Sequence, residues 1–128
     1  MFHAGRPLTL TERTFCQPYF KAETLDKARI INGHVPFWLS KRMCAVVLGH
    51  KIYMRKGAYL LAQQPSAADL CLLAHELTHV EQYLSGMTII KYLWASRHGY
   101  MQNPYELEAY AKGNYIASQI SDKLEIAT

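Results

Sequence analysis

The run Leu72-Leu73-Ala74-His75-Glu76-Leu77-Thr78-His79-Val80-Glu81-Gln82 limits the fold more than any other part of the chain. With Leu70 ahead of it, its aliphatic positions recur at helical spacing, so the segment reads as a helix with one face in a core. His75 and His79 then stand one turn apart, within about 40° of each other around the axis. Both imidazoles can reach one metal ion, and burying them among these aliphatics without a partner would be costly. Glu76 is rotated by about 100° from His75. That direction suits a carboxylate acting on water beside the ion better than a third ligand. A structural zinc takes four protein ligands and a catalytic one takes three and a water, so a further ligand must come from elsewhere in the chain.

The length of 128 residues allows a single domain over 1–128 with one core. A formal net charge of +4 makes the chain moderately basic. Lys41, Arg42, Lys51, Arg55 and Lys56 concentrate that charge in mid-chain, where it reads as a solvated basic face. No nucleic-acid-binding signature accompanies it, so no nucleic-acid partner is expected. Cys16, Cys44 and Cys71 form an odd set without a C-x-x-C pair, which argues for a reducing compartment rather than a disulfide framework. Cys71 lies one turn before His75 and reads as a small packing residue. Met1-Phe2-His3-Ala4-Gly5-Arg6-Pro7 lacks a charged region followed by an apolar core, so no signal peptide is expected. No apolar run reaches membrane-spanning length, and a cytoplasmic location is expected, with export by a non-classical route still compatible.

In chain order, residues 1–20 read as an irregular lead-in. Ala22, Leu25, Ala28, Ile30 and Ile31 predict a short amphipathic helix over Lys21–Ile31, stopped by Asn32-Gly33. Phe37-Trp38-Leu39 is expected to dock as an apolar anchor. Met43–Leu48 and Ile52–Met54 flank Gly49-His50 as a β-hairpin, with His50 exposed at the turn. Tyr59–Gln64 continues as strand or coil. Gln64-Pro65-Ser66 sets the start of the long helix, with Ser66 as N-cap, and Ser85-Gly86 ends it. Met87–Ser96 is expected to be a helix packed over the site, and Arg97–Tyr100 a polar turn. Asn103-Pro104 opens a last helix to about Leu124, along which Ala109, Gly113 and Ala117 form a stripe that permits close approach of another helix. Gly113 costs such a helix about 1 kcal/mol relative to alanine, which close packing would explain.

The extended pattern H-E-x-x-H-x-x-G-x-x-H is excluded, because Gln82 and Ser85 occupy its Gly and His positions. A glutamate on a later helix is the other common source of a third ligand. Glu106 and Glu108 are the candidates, with His98 more distant. Glu106 shares a face with Ala109, Tyr110 and Gly113, yet it also stands where a capping-box residue would bond back to Asn103.

Residues 72–82 together with Asn103-Pro104-Tyr105-Glu106-Leu107-Glu108-Ala109-Tyr110 resemble the small zincin-like metallopeptidase domains of the gluzincin type, the minigluzincins. The chain is also similar to the zincin-like domain associated with extracellular contractile injection systems. The likeness spans about residues 43–117. It implies an α+β, zincin-like fold: a small antiparallel hairpin or sheet on an active-site helix, with N-terminal and C-terminal helices. It implies Glu106 as the third ligand, from a Glu-x-x-Ala-Asp-like motif in which Tyr110 replaces the aspartate. The expected activity is zinc-dependent hydrolysis of a peptide or protein substrate, with His75, His79 and Glu106 on Zn2+ and Glu76 as general base. An oxyanion donor is also needed. Tyr100 is favoured over His98, Tyr105 and Tyr110. In zinc peptidases an edge strand beside this helix pairs with the extended substrate. The alternative is a binding module, non-catalytic or dependent on a partner, within a larger assembly.

Overall fold

The structure, a computed structural model, describes residues 5–60 and 66–127, apart from the side chains of Ser121 and of residues 123–127. Helix α1 (Leu10–Cys16) starts at a capping box. Thr9 Oγ1 accepts from Glu12 N at 3.2 Å, and Glu12 Oε1 accepts from Thr9 N at 2.7 Å. The expected irregular lead-in therefore contains a helix. Helix α2 (Ala22–Lys27) stops at Ala28, whose ψ of 138° leaves the helical region. The helix expected to reach Ile31 gives way to strand β1 (Arg29–Asn32). Ile30 and Ile31, adjacent and β-branched, are both buried, which a strand between two packing layers achieves and the side of a surface helix does not.

The hairpin forms as expected from strands β2 (Ala45–Leu48) and β3 (Lys51–Met54). Gly49 takes φ +68° at the first turn position, which favours glycine, and His50 is exposed. The sheet is mixed rather than antiparallel, in the order β1-β3-β2. β1 runs parallel to β3 with Ile30 opposite Ile52, and β2 runs antiparallel with Val47 opposite Ile52. The segment 33–44 crosses over the β3 position to reach β2, which runs back antiparallel, so the return through the hairpin makes β3 parallel to β1. Arg55 holds that crossover: Nε donates to Met43 O at 2.8 Å, and its terminal nitrogen donates to Leu39 O and Ser40 O. One member of the expected solvated basic face is thus a backbone clamp. Phe37, expected to dock, is fully exposed, and Trp38 is more than half exposed, because the clamp acts on the residues after them.

Helix α3 (Ala67–Leu84) begins at Ser66, whose hydroxyl accepts from Asp69 N, and ends at Ser85. Gln64, Pro65 and most of the stretch expected as strand or coil lie outside the described residues. Leu70, Leu73, Leu77 and Val80 are fully buried and form the core with Ile30, Ile52, Met54 and Ile116. Helix α4 (Ile89–Ala95), a 3-10 turn (Tyr100–Gln102) and helix α5 (Pro104–Ala127) follow. α4 has no buried residue, and Ile90 and Trp94 face outward. It therefore covers the site only in part. α5 packs on α3 through the small-residue stripe: a Cβ built on Gly113 would lie 2.9 Å from Cys71 O and 3.4 Å from His75 N.

A buried polar cluster ties the N-terminal segment to this frame. Arg6 exchanges backbone hydrogen bonds with Ile30, and its guanidinium donates to both Glu12 oxygens at 2.8 and 3.1 Å. The Tyr59 hydroxyl also donates to Glu12. Burial works against the Glu12 charge, but the bonds from Arg6, Tyr59 and Thr9 N outweigh it and hold the carboxyl below its ordinary value. Glu12→Ala is expected to lower the unfolding free energy at neutral pH by about 3 kcal/mol, because it leaves Tyr59 and Arg6 without their acceptor. The Glu12 contribution is complete above the unfolded carboxyl pKa of about 4 and is lost as pH falls through the lower folded value. Urea unfolding of parent and variant at pH 7 and below pH 4 measures this: the gap between them should narrow in acid, and equal stability at pH 7 would refute it.

Candidate metal centre

α3 sets the His75 and His79 rings edge to face, with centroids 5.0 Å apart. α5 brings Glu106 to them from the other side. Its Oε1 lies 3.0 Å from His75 Nε2 and 3.1 Å from His79 Nε2. The three residues are buried, and one ligand atom from each lies within 4.8 Å of the other two. Glu106 is not a cap. Asn103 Oδ1 accepts from Tyr105 N, and Asn103 N donates to Tyr100 O, so the capping-box bond has no donor. The other Glu106 oxygen, Oε2, accepts from Tyr92 OH at 2.5 Å. Burial opposes the Glu106 charge, but the bonds from His75, His79 and Tyr92 hold its carboxyl well below the usual range. The His79 imidazole is pushed up: burial lowers it, and Glu106 more than reverses that.

The chemistry of this donor set fits a metal. Two imidazole nitrogens and one carboxylate oxygen converge in a space shielded from water, and such a set can hold a divalent transition-metal ion, zinc or iron among them. Glu108 and His98, the alternatives for third ligand, do not join the cluster. Glu108 accepts instead from Gln82, and His98 is exposed. Cys71 is half-buried and donates to Asn114 Oδ1 rather than approaching the site.

Glu76 lies beside the ligands without joining them, its Oε1 3.9 Å from His75 Nε2. Burial raises its carboxyl above the ordinary value, aided by the Glu106 charge and opposed by the two histidines. It borders a cleft of about 160 Å³ that also reaches Tyr100. Tyr100 OH and Tyr110 OH lie 3.3 Å apart. Burial, that bond and the nearby Glu106 charge all raise the Tyr100 phenol. Tyr110, at the position of the expected aspartate, sets its ring against His75 with centroids 4.4 Å apart.

β2 forms the opposite wall of the cleft and, among the described residues, is an edge strand. Leu48 pairs with Lys51 across the turn, and Cys44 O accepts from Arg55 N on the β3 side. Strand alternation then turns the backbone groups of Ala45 and Val47 away from β3. Tyr83 OH donates to Val47 O at 3.3 Å, in keeping with that direction.

A family model described as the eCIS core domain matches residues 7–87, more than half of the chain. The chain belongs to the eCIS core domain family. Membership in the eCIS core domain family suggests a role in a contractile injection system and participation in a multi-protein assembly. The matched segment contains His75, Glu76, His79 and Gln82 and stops before Tyr92, Tyr100 and Glu106. No curated protein and no solved structure matches the chain. No helix among the described residues is long and apolar enough to cross a membrane.

Two site residues escape sequence reasoning. Tyr92 bonds to Glu106 from a helix that reads only as apolar, and no spacing marks it. Gln82 bonds to His79, and here a signal exists: residues three apart on a helix are neighbours.

Proposed function

We propose that this domain is a zinc-dependent peptidase of the gluzincin type, with His75, His79 and Glu106 holding the ion. Zinc, when bound, supplies Lewis acidity toward water and the scissile carbonyl. The observation that carries the reading is Glu76, a buried carboxyl that faces an apolar cleft beside the metal cluster without being part of it. A purely structural metal site has no use for such a group.

Glu76 takes a proton from the attacking water and delivers it to the leaving amine; its raised pKa suits both transfers. Tyr100 OH donates to the oxyanion that develops on the carbonyl. The outward backbone groups of Ala45 and Val47 align an extended substrate, which displaces the Tyr83 hydroxyl from Val47. The apolar cleft limits water at the reacting bond.

The rival reading, a binding module of an injection-system assembly without turnover, is favoured by Tyr110, which leaves His75 without the carboxylate expected behind it. Zinc titration against a competing chelator tests the ligands. Glu106→Ala is expected to lose more than about 100-fold in zinc affinity, exceeding what loss of an outer-sphere partner causes. Glu108→Ala should keep stoichiometric zinc. Undiminished zinc in Glu106→Ala would overturn the assignment. Digestion of a denatured protein should require zinc and stop with chelator; zinc binding with no cleavage of any peptide in a library would favour the rival.

A further inference from the structure

Gln82 stands between His79 and the first turn of α5. Its Oε1 lies 2.8 Å from His79 Nδ1. Its Nε2 donates to Tyr105 O at 3.0 Å and to Glu108 Oε1 at 2.7 Å. A carbonyl and a carboxylate can only accept, so the amide nitrogen must face them and the amide oxygen must face His79. Nδ1 of His79 must then carry the hydrogen of that bond. In the neutral ring Nε2 then holds the lone pair, aimed into the space shared with His75 and Glu106; only the doubly protonated ring donates from Nε2 to Glu106 Oε1.

We propose that Gln82, anchored by Glu108, is a positioning residue for the metal: it sets the tautomer and ring plane of His79 so that Nε2 is the ligating atom. The inference rests on the zinc reading above. A metal-bound imidazole ordinarily donates its second N–H to such a partner, which orients the ring and raises its basicity. His75 has the Tyr110 ring against it, and among the described residues its side-chain hydrogen bond runs to Glu106 from Nε2. Support of the histidine pair from behind therefore falls on Gln82. Gln82 is buried while Glu108 is exposed, so the chain of bonds runs from the centre to the surface of α5. Glu108 serves as an acceptor in this arrangement, and its charge is not required.

Zinc affinity and nitrogen-15 NMR of the imidazoles test the proposal. Gln82→Ala is expected to lose about 10- to 100-fold in zinc affinity, the range for such outer partners. Glu108→Ala should lose less, since Tyr105 O still holds the amide. Glu108→Gln should stay close to the parent, because its amide oxygen still accepts. In the metal-free protein, at a pH where the rings are neutral, His79 should show the Nδ1–H tautomer in the parent and shift toward Nε2–H in Gln82→Ala. A purely structural role would not move that signal. Parent-like affinity and tautomer in Gln82→Ala, with zinc lost from Glu106→Ala, overturns this inference alone. Equal losses in Glu108→Gln and Glu108→Ala overturn the acceptor role. Zinc absent from the parent overturns the metal reading and the inference with it. If Gln82→Ala does not fold, the two Glu108 variants, altered at an exposed position, carry the test.

Discussion

Glu76→Gln should lower kcat/KM for peptide cleavage by about 10²- to 10⁴-fold while leaving zinc affinity and fold intact. The glutamine has the same shape and no proton affinity, so only the transfer between water and leaving amine is removed. A thousand-fold loss corresponds to about 4 kcal/mol of transition-state stabilisation. Glu76 contributes no atom to the metal cluster, so stoichiometric zinc should survive. The melting temperature should equal or exceed the parent's, because a buried carboxyl whose charge is opposed by burial is replaced with a neutral amide. Steady-state cleavage of a fluorogenic peptide, with metal content measured on the same sample, checks all three. Equal cleavage by parent and variant would remove Glu76 from the chemistry.

The second large effect is expected at Gly113, which packs against the α3 backbone at His75. A Cβ there meets the Cys71 carbonyl at 2.9 Å and His75 N at 3.4 Å, both backbone atoms of α3 that cannot swing aside. α5 must then retreat, and Glu106, seven residues earlier, lies on nearly the same face of α5. Alanine gains about 1 kcal/mol of helix propensity, but overpacking of this kind costs about 1–3 kcal/mol. Gly113→Ala should therefore be mildly destabilised, and Gly113→Val strongly, with zinc affinity falling in the same order. Urea midpoints and chelator competition measure both. An alanine variant with the parent's midpoint and affinity would mean that the helix contact does not set the ligand distance.

How far these features were legible in the sequence depended on how local their causes are. Ser66, the aliphatic repeat and Ser85-Gly86 bound α3 from within, and the expected helix matches it. Gly49-His50 between two β-branched runs marks the hairpin for the same reason. Asn103-Pro104 marks the start of α5, and Glu106 was reachable from its face and from the resemblance. β1 has no such local mark. Ala22, Leu25 and Ala28 carry helical spacing straight into Ile30-Ile31, and only the parallel partner β3, distant in sequence, makes those residues a strand. α1 was within reach, since Thr9 and Glu12 have capping-box spacing, but seven residues hold too short an apolar repeat to separate helix from irregular chain. Phe37 and Trp38 show the reverse failure: large apolar residues left outside because Arg55 fixes the crossover behind them. Tyr92 needed the third dimension, since nothing in an apolar helix says which ring will meet a carboxylate on another.

The hydrogen bond from Tyr83 to Val47 has a consequence beyond the proposed substrate alignment. An uncovered strand edge beside apolar side chains is a template on which identical chains can stack into fibres. β2 is only four residues long, and one of its two outward carbonyls is taken by a phenol from α3. The hydroxyl that the proposed substrate strand would displace thus also guards the sheet against self-association.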